Sequence, residues 1–492
     1  MGARRGIGRA IDKGIFWAFM VLVVVAPVPL GSNRSWAWSL LECGIFALVA
    51  AWLLLWALGA ARMPQPLLRS WPVFAALGVW IVHTAISVVP LPREWVAILS
   101  PAAAAMHGLA DAAVGPQATM TLSLEPYASR IALIKSLAYA GAFFLTLALV
   151  SNRSRFLVFA RVLVFAATLH ALYALARHAD GVTQTYLGTV LVHRAAAMGF
   201  YANQNHFAGM LEMSIAVAVG LLSYGGRGVN GSLRTMIVEL ARQAFTPRML
   251  LRLALCVLVV ALAATHSRMG NAAFLVSLLV GIGVAVGPSR EFKAAIALLA
   301  VSVVLLDLLV VGSLVGTEQL AQRLEATTVQ DVEDRGAVAR LSLGIIRDYP
   351  LFGTGAGTFY VAFPRYRTDA IANFFDHAHN DYVQFAAESG LLGLALLAVV
   401  VVASLRSAWL AQRARRDPAM KAASLASIMG VVALLVHSWA DFNLQIPANA
   451  VLFMVLLAFG WVARFLDPSG AHAGPPGAGP EGGDVAKMPA RQ

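Results

Sequence analysis

Apolar residues fall into long runs along the chain, separated by shorter polar segments. A helix needs about 20 mainly apolar residues to cross a bilayer, because the hydrocarbon layer is roughly 30 Å thick and each residue adds about 1.5 Å. The pattern therefore predicts an all-α, polytopic integral membrane protein with about 12 transmembrane helices. Their approximate positions are residues 14–31, 38–58, 71–90, 131–150, 156–176, 206–224, 249–265, 272–288, 293–315, 383–404, 422–440 and 447–466.

Three connections between these runs are far longer than a link between helices requires. They cover residues 91–130, 177–205 and 316–380. The longest is predicted to form one large loop on the membrane side opposite the N-terminus. Within it, residues 318–348 place apolar positions among charges at helical spacing, which predicts an amphipathic helix that Pro350 ends.

The basic residues predict the orientation. A basic start, residues 4–13, precedes the first apolar run, which lacks a small-x-small cleavage site, so an uncleaved anchor is predicted rather than a signal peptide. With the N-terminus inside, most Lys and Arg residues of the connections fall on the cytoplasmic side, as the positive-inside rule requires. Both termini are therefore predicted to be cytoplasmic. Residues 1–467 form the membrane domain, and the Gly/Pro/Ala-rich residues 468–492 are predicted to be a disordered cytoplasmic tail.

Composition supports a membrane location and excludes several classes of protein. Hydrophobic residues make up 59% and charged residues only 13% of the chain, about half the charge of a soluble domain. A disordered chain, a disulfide scaffold and an ordinary cytosolic enzyme are therefore excluded. The net charge of +12 reflects topology, so the predicted partner is the lipid bilayer and no nucleic acid is expected. Cys43 and Cys256 lie in apolar runs and are interpreted as small core residues.

Polar and ionisable residues gather where apolar runs begin or end on the non-cytoplasmic side, and a membrane protein keeps them there only at a cost. The entrance to the sixth run carries an amide- and imidazole-rich group. Asn205 and Glu212 share a helical face, which extends the polar stripe into the membrane. Helix capping is the alternative explanation for the asparagines. The group contains His193, Arg194, Asn203, Asn205 and His206.

The short turn between the seventh and eighth runs carries Arg268. A guanidinium here suits a phosphate, which it can bind in a bidentate manner. For a single arginine at a membrane face, snorkelling to the interface is the alternative.

A third group precedes the tenth run and contains His377, His379, Asn380 and Tyr382. The His-x-His pattern has no third ligand at the usual zinc spacing, so no metal is predicted. A neutral imidazole is better suited to act as a general base.

A fourth group joins the last two runs, where His437 and Asp441 are spaced i,i+4 and are predicted to hydrogen-bond. A polar turn that satisfies itself is the alternative.

Together these groups describe a cationic site without paired catalytic carboxylates, a Ser-His-Asp order, a Walker loop or a dinucleotide-binding glycine pattern. Such a site suits a lipid-linked pyrophosphate. Arg194 and Arg268 would stabilise the leaving group, and His379 would serve as the base for an incoming sugar hydroxyl.

Over roughly residues 120–450 the chain resembles the superfamily of O-antigen ligases and polysaccharide polymerases (WaaL/Wzy), with the ligase-related region at about 190–400. The segment His379-Asn380, nine residues, then Gly390-x-x-Gly393 is similar to a ligase loop motif. The resemblance rests on the segments TLSLEPYASR (121–130), RAAAMGFYANQNHFAGM (194–210), RLSLGIIRDYPLFGTGAGTFYVAFPRYR (340–367), HAHNDYVQFAAESGLLG (377–393) and HSWADFNLQIP (437–447).

The resemblance implies a GT-C-like, metal-independent transmembrane glycosyltransferase without a cofactor in the bacterial inner membrane. Its donor would be an undecaprenyl-pyrophosphate-linked glycan, used at the periplasmic face, where 316–380 would be the large periplasmic loop. Arg194 and Arg268 would bind pyrophosphate, and His379 would activate the acceptor hydroxyl. Four further arginines, in the matching segment 340–367, would line the donor or acceptor groove. They are Arg340, Arg347, Arg365 and Arg367.

Three functions remain open. A polymerase, which extends one lipid-linked glycan with another, is slightly favoured because the Asn-Gln-Asn-His and Asp-Phe-Asn-Leu-Gln-Ile-Pro stretches resemble exopolysaccharide polymerases. A ligase, which passes the glycan to lipid A–core, is favoured by the loop motif at His379. A transporter of lipid-linked sugars is more remote, because the candidate residues gather at one membrane face.

Overall fold

The computed structural model describes residues 2–180, 196–223, 246–285, 329–369, 371 and 373–467. The described residues form helices and two short antiparallel strands, β1 (Leu91–Pro92) and β2 (Thr119–Met120). The helices are α1 (Gly2–Val25), α2 (Ser35–Ala57), α3 (Gln65–Arg69), α4 (Trp71–Ser87), α5 (Arg93–Leu99), α6 (Pro101–Val114), α7 (Pro126–Leu149), α8 (Arg153–Ala179), α9 (Gln204–Ser223), α10 (Pro247–Ala264), α11 (Arg268–Ala285), α12 (Val329–Leu341), α13 (Leu343–Asp348), α14 (Phe359–Ala362), α15 (Asp381–Ala414), α16 (Pro418–His437) and α17 (Pro447–Phe465).

Within the described residues, 8 helices are long and apolar enough to cross a membrane. They are α2, α7, α8, α9, α10, α15, α16 and α17, and α4 and α11 are shorter apolar helices. The prediction of an all-α polytopic membrane protein is therefore confirmed. The predicted run at 293–315 and the predicted tail 468–492 lie outside the described residues, so the number of about 12 helices stays a prediction.

Helices α9, α16 and α17 form the centre of the bundle. Buried residues make up 83%, 78% and 89% of their apolar stretches, compared with 28% for α2. A helix that is apolar all round is expected in such a position. Cys43 on α2 and Cys256 on α10 are exposed, which corrects the expectation that both are core residues. The lipid-facing side of a membrane helix is as apolar as its packed side, so composition does not distinguish the two.

A second hydrophobic core, here called the cap, lies at the end of the bundle where α9, α15 and α17 begin. Residues 318–328 of the predicted amphipathic helix 318–348 lie outside the described residues, and its remainder forms α12 and α13, with Ser342 between them. The Ser342 hydroxyl donates to the carbonyl of Val338, and α13 ends at Asp348, two residues before Pro350. The buried residues of the cap include Val96, Leu122, Val338, Ile345, Phe359 and Phe363.

The helical conformation of α15 is interrupted at Gly390, and the backbone of the cap forms a hydrogen bond at the interruption. Gly390 has φ 66° and ψ 177°, a conformation essentially restricted to glycine. Its missing Cβ makes room for the backbone of Leu351. The backbone N–H of Leu391 donates to the carbonyl of Pro350 at 2.8 Å. Polar backbone groups freed by the break are thus satisfied by protein, as a membrane requires.

The break predicts a large difference between two glycine substitutions. Gly390→Ala is expected to lower the melting temperature of the detergent-solubilised protein strongly, because the new Cβ meets the Leu351 backbone and the backbone conformation disfavours any side chain. Gly78→Ala in α4 is the matched control. A Cβ there meets nothing within 4 Å, and helical Gly→Ala favours the helix by roughly 0.5–1 kcal/mol. Equal melting temperatures for the two variants would contradict this account.

Candidate active site

Three of the four polar groups noted in the sequence contribute residues to one cluster at an end of the bundle, around Asp441. His206 lies in the first turn of α9, His379 lies two residues before α15, and His437 is the last residue of α16. Asp441 lies in the turn from α16 to α17. Because α9, α15 and α17 begin at the same end at which α16 finishes, their polar ends form one cluster.

The fully buried Asp441 carboxylate faces three imidazoles. Its Oδ1 lies 3.7 Å from His206 Nε2 and 3.8 Å from His379 Nδ1. Its Oδ2 lies 3.9 Å from His437 Nε2. These distances are longer than hydrogen bonds, so the carboxylate and the imidazoles are close neighbours that do not bond directly. The three imidazole nitrogens and Asp441 Oδ2 are buried without a hydrogen-bond partner among the described residues, so the cluster is polar and tightly enclosed.

The principal partner of His437 is Glu212 on α9. His437 Nδ1 lies 2.7 Å from Glu212 Oε1, and both side chains are fully buried. This corrects the predicted His437–Asp441 hydrogen bond, which at 3.9 Å is only a charge contact. The physical reason is that α16 ends at His437, so the i,i+4 spacing does not continue on a helix. The pair instead joins two central helices.

Phe442 packs between three of the histidines. The His377 ring stacks on it at 4.1 Å between centroids, and His206 and His379 meet its faces or edges at 4.6 and 4.9 Å. Gln384 lies 2.8 Å from His377 Nδ1 and also donates to Glu388. His379 has φ 49°, the left-handed region that histidine and asparagine tolerate better than most residues. Its backbone is therefore held by its surroundings.

Outside the membrane-spanning helices, His377 and Asp441 have displaced pKa values. Burial lowers the pKa of His377 to about 4, so its imidazole is neutral near pH 7. Burial alone would raise the pKa of the Asp441 carboxyl, but the charge of His206 and the neighbouring imidazoles outweigh burial and hold it well below its usual range. Asp441 is therefore a carboxylate at any physiological pH.

The displaced pKa of His377 predicts that the protein is sensitive to acid. Between pH 6.5 and about 4 the unfolded chain binds a proton at this position that the folded chain excludes, so stability falls as the pH falls through that window. The melting temperature is expected to decrease from pH 7 to pH 5. His377→Phe keeps an aromatic ring against Phe442 and removes the titration, and its decrease should be smaller. An identical decrease in both proteins would contradict the assignment to His377.

Several predicted site residues have structural roles, because their side chains cap helices or connect helix ends. Asn203 Oδ1 accepts from the N–H of Asn205 at 2.8 Å, so the capping interpretation applies to Asn203. Asn380 caps α15 and donates to the carbonyl of Trp439 at 2.9 Å. The hydroxyl of Tyr382 donates to the carbonyl of Leu435 at 2.6 Å. Asn380 and Tyr382 therefore fix the start of α15 against the end of α16.

The predicted arginines divide into three sets. Arg194 and its neighbour His193 lie outside the described residues. Arg268 is exposed at the first position of α11, next to Ser267, whose hydroxyl accepts from the N–H of Gly270 at 3.1 Å. The third set is exposed on or beside the cap, away from the contacts of the Asp441 cluster. It consists of Arg340, Arg347, Arg365 and Arg367.

Three buried acidic residues of the site were not among the predicted site residues. The Glu212 contact to His437 links residues far apart in the chain, and Asp381 Oδ2 accepts from the Ser438 hydroxyl at 2.8 Å. Glu388 accepts from the backbone N–H groups of Gly357 and Phe359. For Glu212 and Glu388, the available signal in the sequence was an isolated acid within an apolar run. The described residues hold no group of His, Cys, Asp and Glu arranged for a metal ion.

Arg268, His379 and the Gly390 break lie in one stretch of the chain, and a family model described as O-Antigen ligase matches that stretch, residues 253–398. Residues 253–398 are an O-antigen ligase family segment. The resemblance to O-antigen ligases and polymerases is thereby confirmed. A search of curated proteins finds no match to the chain.

The ligase family segment indicates a multi-pass membrane enzyme of the glycosyltransferase-like ligase or polymerase type, and the family implies a lipid-linked glycan donor and an acceptor. The segment supplies Arg268 and His379, whereas His206, His437 and Asp441 lie outside its bounds. The cluster around Asp441 therefore joins the ligase family segment to the helices that flank it in sequence.

Proposed function

We propose that the protein is a polysaccharide polymerase that transfers an undecaprenyl-pyrophosphate-linked glycan to a sugar hydroxyl of a second lipid-linked glycan. The observation that carries the proposal is the contact between the buried Asp441 carboxylate and Nδ1 of His379. A carboxylate at Nδ1 favours the tautomer with its proton there, which leaves Nε2 free to accept a proton. His379 thus has the properties of a general base.

In the proposed reaction the acceptor hydroxyl oxygen attacks the anomeric carbon of the donor sugar. The bond from that carbon to the pyrophosphate oxygen breaks, the hydroxyl proton passes to His379 Nε2, and lipid pyrophosphate leaves with the bonding electrons. Asp441 stabilises the imidazolium that forms, because its negative charge lies 3.8 Å from the other ring nitrogen. The predicted outcome is a direct displacement at the anomeric carbon.

The pyrophosphate is proposed to bind at the turn before α11. The Arg268 guanidinium is exposed there, and the N-terminal end of a helix adds partial positive charge for an anion. Arg194, which lies outside the described residues, would supply the second guanidinium. We place this site at the periplasmic face of a bacterial inner membrane, with both termini cytoplasmic, as the distribution of basic residues predicts.

An O-antigen ligase is the second candidate function. It would share the donor and the base but pass the glycan to lipid A–core. The specific observation in its favour is the family model, whose description is O-Antigen ligase and whose match includes His379.

The experiment uses purified protein in vesicles with undecaprenyl-pyrophosphate-linked repeat units, with and without lipid A–core, in the presence of EDTA. A ladder of products without core is expected for a polymerase, and a single core-dependent transfer would identify a ligase. Persistence of either product in EDTA is expected for a metal-independent enzyme. Movement of the lipid across the vesicle membrane without any transfer would overturn both functions in favour of a transporter.

A further inference from the structure

Glu212 is a carboxylic acid inside the membrane-spanning helix α9. It is the ninth residue of that helix, about 12 Å from its start at 1.5 Å per residue, and is 1% exposed. Burial of an acid in a membrane helix is costly, and it persists where the group has a partner and a task. The partner is His437, whose Nδ1 lies 2.7 Å from Glu212 Oε1.

Helix α11 leaves space for this carboxylate. An ideal Cβ on Gly270 would lie 2.8 Å from the Cβ of Ala208 on α9, and 3.0 Å from both Glu212 Oε1 and the Ser267 hydroxyl, so α11 approaches α9 closely at the level of the carboxylate. Glu212 Oε2 is buried without a hydrogen-bond partner among the described residues. The carboxylate therefore lies between the turn that carries Arg268 and the imidazole of His437.

A continuous row of ionisable groups runs from Glu212 to the proposed base. Glu212 contacts His437 at 2.7 Å, the opposite nitrogen of His437 lies 3.9 Å from Asp441, and Asp441 lies 3.8 Å from His379. Other ionisable groups facing this row are His206, which lies 3.7 Å from Asp441, and Asp381, whose charge acts on His437. His437 presents both ring nitrogens to carboxylates, and His379 presents one.

We propose that Glu212 and His437 are positioning residues for the transfer reaction. Glu212 accepts the N–H at Nδ1 of His437, which holds the opposite nitrogen toward Asp441 Oδ2. This arrangement keeps Asp441 Oδ1 directed toward His379, and the His437 ring faces the other carboxylate oxygen. This inference rests on the proposed function, because it assigns Glu212 and His437 to the proton transfer at His379.

The test compares Glu212→Gln with the wild-type protein in the transfer assay. Glutamine keeps the shape and removes the charge. Loss of the partner that orients a functional imidazole costs about tenfold to a hundredfold in metalloenzymes, and we expect a decrease in kcat of about this size with an unchanged KM for the lipid-linked donor. The kcat–pH profile should also move, because the variant removes a charge next to His437 and thereby changes the balance of charge around Asp441.

Three further variants complete the test. Glu212→Asp keeps the charge and is expected to recover part of kcat. His437→Gln removes the imidazole that Glu212 contacts and is expected to lower kcat with an unchanged KM. Ser214→Ala is the matched control, because Ser214 is buried on the same helix and donates only to its own turn, at Met210; it is expected to retain wild-type kinetics.

The outcomes separate this inference from the proposed function. Absence of transfer by the wild-type protein would overturn the function itself. Wild-type transfer together with a Glu212→Gln variant that has unchanged kcat and an unmoved pH profile would overturn the positioning role alone. A uniform decrease at all pH values, equal in Glu212→Gln and Glu212→Asp, would show a packing role and would also overturn it. If Glu212→Gln does not fold, His437→Gln is the deciding variant: a lower kcat with an unchanged KM supports the positioning role, and an unchanged kcat overturns it.

Discussion

Glycan transfer by the His379→Asn variant is expected to fall to background while the protein remains folded. General bases contribute about a hundredfold to ten-thousandfold to a reaction rate, and asparagine cannot accept the proton. Asparagine is the suitable replacement because position 379 has φ 49°, and asparagine adopts the left-handed region at little cost. Alanine would add a backbone penalty of about 1–2 kcal/mol and confuse lost chemistry with lost structure.

The measurement is single-turnover transfer of labelled lipid-linked glycan, alongside the melting temperature of each protein. His107→Asn is the matched control. His107 is a partly buried imidazole of the cap that lies 3.0 Å from the carbonyl of Thr121, remote from the described contacts of Asp441. Its variant is expected to transfer at a rate within about twofold of wild type, since surface changes away from special features have small effects. Full activity of His379→Asn would remove His379 from the mechanism.

The second large effect is expected for Asp441→Asn. The amide can donate to His379 Nδ1 and thereby favours the tautomer whose proton is on Nε2, the atom required to accept the acceptor proton. The same replacement behind the histidine of a Ser-His-Asp triad lowers kcat by about ten-thousandfold. We expect a decrease of about a hundredfold or more here, because the present contact of 3.8 Å is looser.

Asp441→Asn is also expected to lower stability by a similar amount at pH 7.5 and at pH 5.5. The pKa of the Asp441 carboxyl is held well below its usual range, so the carboxylate is charged at both pH values, and its loss leaves His206, His379 and His437 buried without the group that faces them. Transfer rates and melting temperatures at pH 7.5 and 5.5 provide the measurement. Asp111→Asn, which removes a carboxylate 2.6 Å from Arg93 in the cap, is the matched control. Equal effects of the two substitutions would contradict a special role for Asp441.

Much of the local structure was predictable from the sequence because it depends on residues that are close in the chain. The apolar runs predict helices, and Pro350 lies two residues beyond the end of α13. Asn203 and Asn380 have the residue type and position of helix caps, and both accept backbone N–H groups. The motif glycine Gly390 allows the close approach of another backbone that its residue type indicates.

The chemistry of the site was predictable only as a set of residue types. His206, His379, His437 and Asp441 were identified as polar residues at the ends of apolar runs, and the structure brings all four together. Their pairing was not predictable. Spacing along the chain indicated His437 with Asp441, whereas the hydrogen-bond partner of His437 is Glu212, 225 residues away. A buried acid in an apolar run signals a partner but does not name it.

The sequence by itself determined the membrane location, the helices and their caps, and the chemical types available at one end of the bundle, since these follow from hydrophobic period and side-chain chemistry within a few residues. Only the tertiary structure decided which carboxylate faces which imidazole. That choice depends on how α9, α11, α15 and α16 pack, and packing brings together residues that no local pattern connects. Asp441 has three histidine neighbours, and His437 has Glu212 as its partner, because these helices pack closely against one another. At Gly270, for example, α11 approaches Glu212 of α9.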